Sequence, residues 1–199
     1  MPVIDQQVLI AHGAESLKYT PEEFIFQENT ACNNYYQITE GTVKLTHIAE
    51  SGKEFVHGFP FAGHCFGESY LFTQRKYAFN AIAYSQCKVL KLPKDSFLSL
   101  LESHPKISAR ISRYTAERMH FRCIISSLMV VSCPCERLVR LLDHIKEYFG
   151  AEEKFSFQVP YTRAQLCSLL GLRIETVIRS LKKMQKMNIV KIEKTKIYY

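Results

Sequence analysis

The side chains best suited to chemistry lie close to Gly171, in the last quarter of the chain. Residues 162–171 are predicted to form a short helix, with Thr162 as its N-cap, Gln165 as the capping-box partner three positions on, and the glycine at its end. A second helix is predicted from Arg173 to Met184. Two short helices joined at a glycine are typical of a helix-turn-helix.

The second of these helices separates apolar from polar residues. One side is predicted to be apolar and to carry Leu172, Val177, Ile178, Leu181 and Met184. The polar residues are left for another side and comprise Arg173, Glu175, Thr176, Arg179 and Lys183. Arginine can pair with guanine, glutamate can accept a hydrogen bond from cytosine, and threonine can contact a phosphate or a thymine methyl group. This chemistry predicts a helix that reads the major groove of DNA.

Basic residues surround this predicted helix. After Asn188 the sequence alternates like a two-stranded wing, whose lysines are placed to meet phosphates: Lys191, Lys194 and Lys196. Thr162 and Arg163, at the start of the first helix, complete the predicted DNA-binding set.

The positive charge of the chain is concentrated in the same segment. Residues 154–199 contain ten Lys and Arg against two acidic residues, whereas residues 1–128 contain 13 against 12. Charge alone leaves a solvated basic face as the alternative. The helix-turn-helix and the wing together favour a polyanion such as double-stranded DNA.

The elements that must position these residues begin with a β-rich segment. Between residues 16 and 92, short β-rich pieces alternate with turn residues, which predicts a sandwich or a jelly-roll barrel. Beyond Pro93 the apolar period lengthens, and a helix is predicted from Lys94 to Ser103. The Cys-Pro-Cys sequence at 133–135 is predicted to break the next helix.

Two further elements are predicted beyond that break. Glu136 to Phe149 is amphipathic and reads as a helix, and residues 155–161 are strand-like. The fold class is therefore α+β. The predicted domains are a jelly-roll barrel in 1–104, a long central dimerisation helix in 105–131 and a winged helix-turn-helix in 132–199.

The central helix carries a regular apolar seam. Steps of four and three residues join Ile107, Ile111, Tyr114, Arg118, Phe121, Ile125 and Leu128. Such a heptad seam favours a parallel homodimer, in which Arg118 interrupts the apolar contact. The alternative is a helix that packs on its own barrel.

Three segments resemble the Crp/Fnr superfamily of bacterial transcription regulators. These are TRAQLCSLLGLRIETVIRSLKKM, HPKISARISRYTAERM and the turn Gly63-His-Cys-Phe-Gly67-Glu68. The resemblance implies a barrel like that of cyclic-nucleotide-binding domains, followed by a dimerisation helix and a winged helix-turn-helix. It also implies that Glu175 and Arg179 read bases. Ile174 departs from the family, because relatives of the cyclic-AMP receptor type have a base-contacting arginine there.

The same resemblance places an effector pocket in the barrel. Its candidate residues are Gly67, Glu68, Lys76, Tyr77, Arg122 and Cys123. The arginine–serine pair that would clamp a cyclic phosphate is replaced by Tyr77-Ala78, and a lysine is a poorer clamp than an arginine. At the adenine-contacting positions the family's Thr-Ser is replaced by Arg122-Cys123. We therefore expect an effector other than cyclic AMP, or none.

No cofactor and no metal site is predicted. An iron–sulfur cluster needs four thiolates, and only Cys32 lies in the first sixty residues. His64 and Cys65 could ligate haem, but such a pair in a barrel turn is more often structural. Cys133 and Cys135 could form a thiol switch, or they could simply flank the residue that breaks the helix.

The remaining features exclude several classes of protein. No run approaches 18 apolar residues and the N-terminus does not resemble a secretory signal, so we expect a cytoplasmic protein without membrane contact. The sequence contains no nucleophile motif and no phosphate loop that would indicate an enzyme.

The expected partners are double-stranded DNA and a second copy of the chain, with RNA polymerase and an unidentified small-molecule effector as further candidates. The alternative is a cyclic-nucleotide-binding-like regulatory module that acts through protein contacts.

Overall fold

The computed structural model describes residues 2–52, 54–73 and 75–199. The chain divides between Met119 and His120 into two compact units. This boundary lies within the long helix α3 (Pro105–Leu128), so each unit contains part of that helix. The division into three parts at residues 104 and 131 stays a prediction.

The first unit contains two four-stranded antiparallel sheets. In chain order the strands are β1 (Glu15–Tyr19), β2 (Phe24–Phe26), β3 (Asn34–Glu40), β4 (Val43–Ile48), β5 (Glu54–Gly58), β6 (Cys65–Phe66), β7 (Asn80–Ala83) and β8 (Cys87–Pro93). One sheet has the order β1-β8-β3-β6 and the other has the order β2-β7-β4-β5. Apart from β4 and β5, which pair with each other, consecutive strands alternate between the two sheets, and this confirms the predicted jelly-roll architecture.

Aromatic side chains pack on both faces of the first sheet. Phe66 from β6 stacks on Tyr36 from β3, with ring centroids 5.5 Å apart. Tyr35 stacks on Phe97 of the following helix at 4.5 Å. Offset stacking of this kind adds a geometric preference to the burial of apolar area.

Helical segments accompany the sheets of the first unit. They are α1 (Gln6–Ala11), a 3-10 helix (Glu68–Phe72), α2 (Lys94–Ser103) and the start of α3. The bounds of α2 agree with the prediction from the sequence, and Pro105 opens α3, where a missing N–H costs little. None of the helices in the described part of the chain combines the length and the apolar character that a membrane span requires.

The structure buries the predicted dimer seam inside the chain itself. Ile107, Ile111 and Tyr114 pack in the core of the first unit, and Phe121, Ile125 and Leu128 pack in the core of the second. Ile111, for example, is only 1% exposed. These contacts favour a helix that packs within its own chain over the predicted seam between two copies, and the position of the dimer contact stays a prediction. An apolar period shows that one side of a helix is buried and does not show what buries it.

The second unit is mainly helical. After α3 it contains α4 (Pro134–Tyr148), α5 (Arg163–Leu170), α6 (Ile174–Lys186), β9 (Lys191–Glu193) and β10 (Lys196–Tyr198). Cys133 is the extended N-cap of α4 and Pro134 is its first residue, which confirms the predicted break. Leu138, Leu141 and Leu142 of α4 are buried in the same core as Val177 and Leu181 of α6.

The strand predicted at residues 155–161 is reduced to a single bridge. Gln158 pairs with Tyr198 of β10, and the backbones of Phe157 and Tyr199 exchange hydrogen bonds. Phe155 has a left-handed φ of +60°, which interrupts extended backbone at the start of the segment. This segment therefore adds only a single bridge, and not a full third strand, to the β-hairpin of the second unit.

The turn at Gly41 generates a prediction about stability. Gly41 has φ +85°, and a Cβ there would lie 2.1 Å from the carbonyl oxygen of Gln86. Gly52 has a similar φ of +77° but open space around its Cβ position. Gly41→Ala should lower the free energy of unfolding by about 3 kcal/mol or more, whereas the control Gly52→Ala should cost about 1 kcal/mol. Urea unfolding of both variants measures the difference, and equal losses would contradict the clash.

Candidate DNA-binding surface

The first helix of the helix-turn-helix is held at both ends by local interactions. The hydroxyl of Thr162 accepts a hydrogen bond from the Gln165 backbone N–H (3.2 Å), and the Gln165 side-chain oxygen accepts one from the Thr162 N–H (2.8 Å). This is the predicted capping box. Gly171 ends α5 in the left-handed conformation, with φ +60°.

The second helix begins one residue later than predicted and ends two residues later. Arg173 is its extended N-cap, and α6 runs from Ile174 to Lys186. Val177, Leu181 and Met184 are buried in the core of the unit. The buried side thus fixes how the helix is rotated about its axis and which residues it presents to solvent.

One open groove runs along the exposed side of α6. It is lined by Glu175, Ile178, Arg179, Lys182, Lys183 and Lys186. Three of the predicted DNA-binding residues, Glu175, Arg179 and Lys183, therefore share one surface. Ile178 was assigned to the apolar side, and this was wrong: the side chain is 36% exposed and faces the groove.

The sequence reasoning missed three residues of this groove. Lys182 and Lys186 continue the steps of four and three that begin at Glu175 and Arg179, so the helical period could have found them. Ile178 carried no such signal, because an apolar residue next to Val177 reads as part of the core.

The other predicted DNA-binding residues lie outside the groove. Arg173 is exposed at the start of α6, and Thr176 is half-buried. At the start of α5, Thr162 is exposed and Arg163 is half-buried. The hydroxyl of Thr162 is already engaged in the capping box.

The wing forms as predicted from β9 and β10. The strands pair antiparallel, with Lys191 opposite Tyr198 and Glu193 opposite Lys196. Lys194 lies in the turn with φ +54°, and both Lys194 and Lys196 are exposed. Lys191 forms a 2.7 Å ion pair with Glu193, so part of its charge is compensated within the wing.

In the barrel, two residues of α3 bind the carboxylate of Glu68. Glu68 is 2% exposed, and Arg118 lies 3.1 Å from one of its oxygens while the Thr115 hydroxyl donates to the other (3.2 Å). Arg118 also donates to the carbonyl oxygen of Cys65 (3.1 Å), as does the hydroxyl of Tyr114 (3.0 Å). The residue that interrupted the apolar seam is therefore the ionic partner of a buried acid.

The charges of this cluster are compatible with its burial. Burial acts to lower the pKa of Arg118, but Glu68, Tyr114 and Cys65 together raise this pKa above its ordinary value. Burial and the charge of Arg118 lower the pKa of His64 to about 4. His64 is therefore neutral near pH 7 and adds no second positive charge beside Arg118.

Tyr77 is packed into the aromatic core of the barrel. It is 2% exposed, and its ring stacks on Phe26 with centroids 3.7 Å apart. The thiol of Cys32 donates to the Tyr77 hydroxyl (3.1 Å), and a Cβ at Gly67 would lie 2.9 Å from the Tyr77 ring. Gly67, Glu68 and Tyr77 are thus buried, whereas Lys76 is exposed on the surface.

The two remaining candidates for the effector pocket belong to the second unit. Arg122 is half-buried and Cys123 is exposed on α3. The two cysteines of the suggested thiol switch also differ, since Cys133 is exposed and Cys135 is half-buried. Nowhere in residues 2–52, 54–73 and 75–199 do three or more His, Cys, Asp or Glu side chains form a group that could hold a metal ion.

Two family models match this chain. Residues 16–104 match the cyclic nucleotide-binding domain, and residues 136–198 match the Crp-like helix-turn-helix domain. The chain is 24% identical to the transcriptional activatory protein AadR of Rhodopseudomonas palustris, over 90% of this chain and 74% of the relative. It is 25% identical to the anaerobic regulatory protein of Haemophilus influenzae, over 86% of this chain and 67% of that protein.

Solved structures show the same fold. FixK2 from Bradyrhizobium japonicum has a TM-score of 0.75 at 20% identity, over 93% of this chain and 91% of that chain. A CooA variant from Carboxydothermus hydrogenoformans has a TM-score of 0.78 at 17% identity, over 97% and 85%. The chain belongs to the Crp/Fnr superfamily of transcription regulators, and its second unit is a DNA-binding helix-turn-helix domain.

Proposed function

We propose that this regulator binds a near-palindromic DNA site as a homodimer and reads its sequence with α6. The observation that carries the proposal is the groove of α6, where a carboxylate and a guanidinium stand among lysines on a helix anchored by its buried side. A helix of this kind fits the major groove, and two copies related by a two-fold axis would read half-sites one helical turn apart.

Within the groove, the side chains divide between bases and phosphates. Glu175 in the first turn of α6 is suited to accept from the amino group of cytosine, and Arg179 is suited to the acceptors of guanine. Ile178 stands beside them and can contact a thymine methyl group. Lys182, Lys183 and Lys186 supply charge for phosphates, and so do Lys194 and Lys196 of the wing.

We assign the dimer contact to the opposite side of α3 from the predicted seam. Exposed residues at steps of three and four form a stripe, which comprises Ala109, Ser112, Ala116, Met119, Cys123 and Ser126. The stripe positions follow the seam positions by two residues and by one residue in turn, which places the stripe about 150° from the seam around the helix axis. Met119, 67% exposed, is flanked by small residues that allow a second helix to approach closely, and the 3.5-residue period suits a coiled coil.

We further propose that cyclic AMP is not the effector. The carboxylate of Glu68 is engaged by Arg118 and Thr115, and Tyr77 occupies a buried position where the family resemblance places the phosphate clamp. A phosphodiester would have to displace these contacts without an arginine fork to receive it.

The proposal also covers the setting in which this regulator acts. We place it in the bacterial cytoplasm, together with its DNA, and we assign it no catalytic role. RNA polymerase is its further protein partner, since relatives include a transcriptional activatory protein.

Removal of the base-reading side chains tests the DNA-binding surface. Arg179→Ala and Glu175→Ala should each lower affinity for a selected DNA site by about 1–3 kcal/mol, or roughly tenfold to a hundredfold. Fluorescence anisotropy with the selected site and with a random duplex measures the change. The matched control is Arg140→Ala, since Arg140 is an exposed arginine of α4 that pairs with Glu136 outside the groove. Unchanged affinity and an unchanged footprint in both groove variants would show that α6 does not read the site.

A new charge on the exposed stripe of α3 tests the dimer. Ala116→Lys should shift the protein from dimer to monomer in sedimentation velocity, because two lysines would meet across the two-fold axis. Glu117→Lys introduces the same side chain at the adjacent exposed position, outside the stripe, and should remain dimeric. A monomeric wild type, or an Ala116→Lys variant that stays dimeric, would contradict the assigned contact.

Addition of 3′,5′-cyclic AMP tests the effector assignment. Calorimetry should detect no binding to the purified protein, and the affinity for the selected DNA site should be the same with and without the nucleotide. The physical reason is that Arg118 already neutralises Glu68 and that a tyrosine replaces the anion clamp. Saturable binding that raises DNA affinity would overturn the assignment.

A further inference from the structure

Arg137 in α4 binds the backbone at two separate places in the second unit. Nε and Nη2 donate to the carbonyl oxygen of Val131 (3.1 and 2.6 Å), and Nη2 also donates to that of Met129 (3.3 Å). Nη1 donates to the carbonyl oxygen of Leu170 (2.9 Å). Within the described part of the chain, the hydrogen bonds of this guanidinium all go to main-chain carbonyls.

These carbonyls lie at the C-terminal end of α5 and in the turn that follows α3. Met129 and Val131 form the turn after α3, and Leu170 is the last residue of α5. The last carbonyls of a helix lack partners within the helix and form the negative end of its dipole. A single half-buried cation therefore binds both the end of α5 and the turn after α3, and the planar fork of arginine allows it to donate in several directions at once.

The side chain of Met129 also brings the same two places close together. The sulfur of Met129 lies 3.7 Å from the position that a Cβ on Gly171 would occupy. Gly171 is the left-handed turn residue between α5 and α6, and α6 starts three residues beyond it. The turn after α3 is thus hydrogen-bonded to the helix-turn-helix through Arg137, and the Met129 side chain lies close to its glycine turn.

The geometry points to Arg137 as a positioning residue for the recognition helix. We propose that it holds the turn at Leu170–Gly171 against the turn at 129–131, and so sets the placement of α6 on specific DNA. This inference rests on the proposed DNA-reading role of α6. Arg137 acts through the backbone that it binds, because its donors are directed at carbonyl oxygens within the unit.

A purely structural role would have a different consequence. If Arg137 only stabilised the core, its loss would lower the free energy of unfolding but leave the DNA preference of the folded protein unchanged. The discriminating quantity is the ratio of specific to non-specific affinity, because non-specific binding depends on phosphate contacts and tolerates a shifted α6.

The test compares variants of arginines and of a core residue. Arg137→Lys keeps the charge without the fork, and Arg137→Met removes both. Arg140→Met controls for the loss of an arginine on the same helix, and Leu142→Ala controls for lost stability, since Leu142 is fully buried in the same core. Anisotropy titrations with the selected site and a random duplex, at a temperature where unfolding curves show each variant folded, give the affinity ratio.

Both Arg137 variants should lower the affinity ratio about tenfold or more, the range expected for lost charged hydrogen bonds. Arg140→Met should leave the ratio unchanged, and Leu142→Ala should lower stability but not the ratio. An unchanged ratio in Arg137→Lys and Arg137→Met would overturn the proposal. If neither variant folds, Met129→Ala decides: a lowered ratio supports the coupling of the two turns, and an unchanged ratio overturns it.

Failure of this inference can be told apart from failure of the proposed function. If Arg179→Ala lowers specific affinity while the Arg137 variants keep the ratio, α6 reads DNA and Arg137 does not position it. If Arg179→Ala has no effect, the reading surface itself is misassigned.

Discussion

The burial of one side of α3 is the constraint on which the other features depend. An amphipathic helix must cover its apolar side, and here the cores of the chain cover it along almost the whole length, from Ile107 to Leu128. The opposite side is then the exposed one, and it carries small residues around Met119. A single helix can thus serve as part of two cores and still leave one side exposed, which is the side that we propose for the dimer contact.

The same burial explains the polar cluster of the barrel. An ionised carboxylate as enclosed as Glu68 is tolerated only with a close cation and further hydrogen bonds, and α3 supplies these with Arg118 and Thr115. Arg118 interrupts an otherwise apolar seam for this reason. Because α3 and the barrel share this ion pair, an effector that competed for Glu68 would also disturb α3.

The groove of α6 depends in the same way on one buried side and one exposed side of a helix. Val177, Leu181 and Met184 fix the rotation of α6, and the left-handed turn at Gly171 sets its direction. Arg137 binds the carbonyl oxygen of Leu170 at the end of α5 and that of Val131 in the turn after α3. In our proposal, placement of the groove of α6 therefore rests on buried apolar contacts and on one guanidinium, rather than on the exposed residues that would touch DNA.

The sequence by itself determined the elements that depend on near neighbours. The capping box of Thr162, the bounds of α2, the start of α4 at Pro134 and the glycine-ended α5 follow from interactions within a few residues. Glu175 and Arg179 were identified because the helical period places them together, although their contacts with DNA stay a prediction.

Only the tertiary structure decided which groups contact the periodic apolar and polar residues of each helix and strand. It showed that the seam of α3 is covered by the chain, that Ile178 faces solvent and that residues 155–161 pair only at a bridge. It also joined Arg137 to Leu170, 33 residues away, and Glu68 to Arg118, 50 residues away. The physical reason is that a local pattern reports whether a side chain is buried, whereas the group that buries or neutralises it comes from a distant part of the chain.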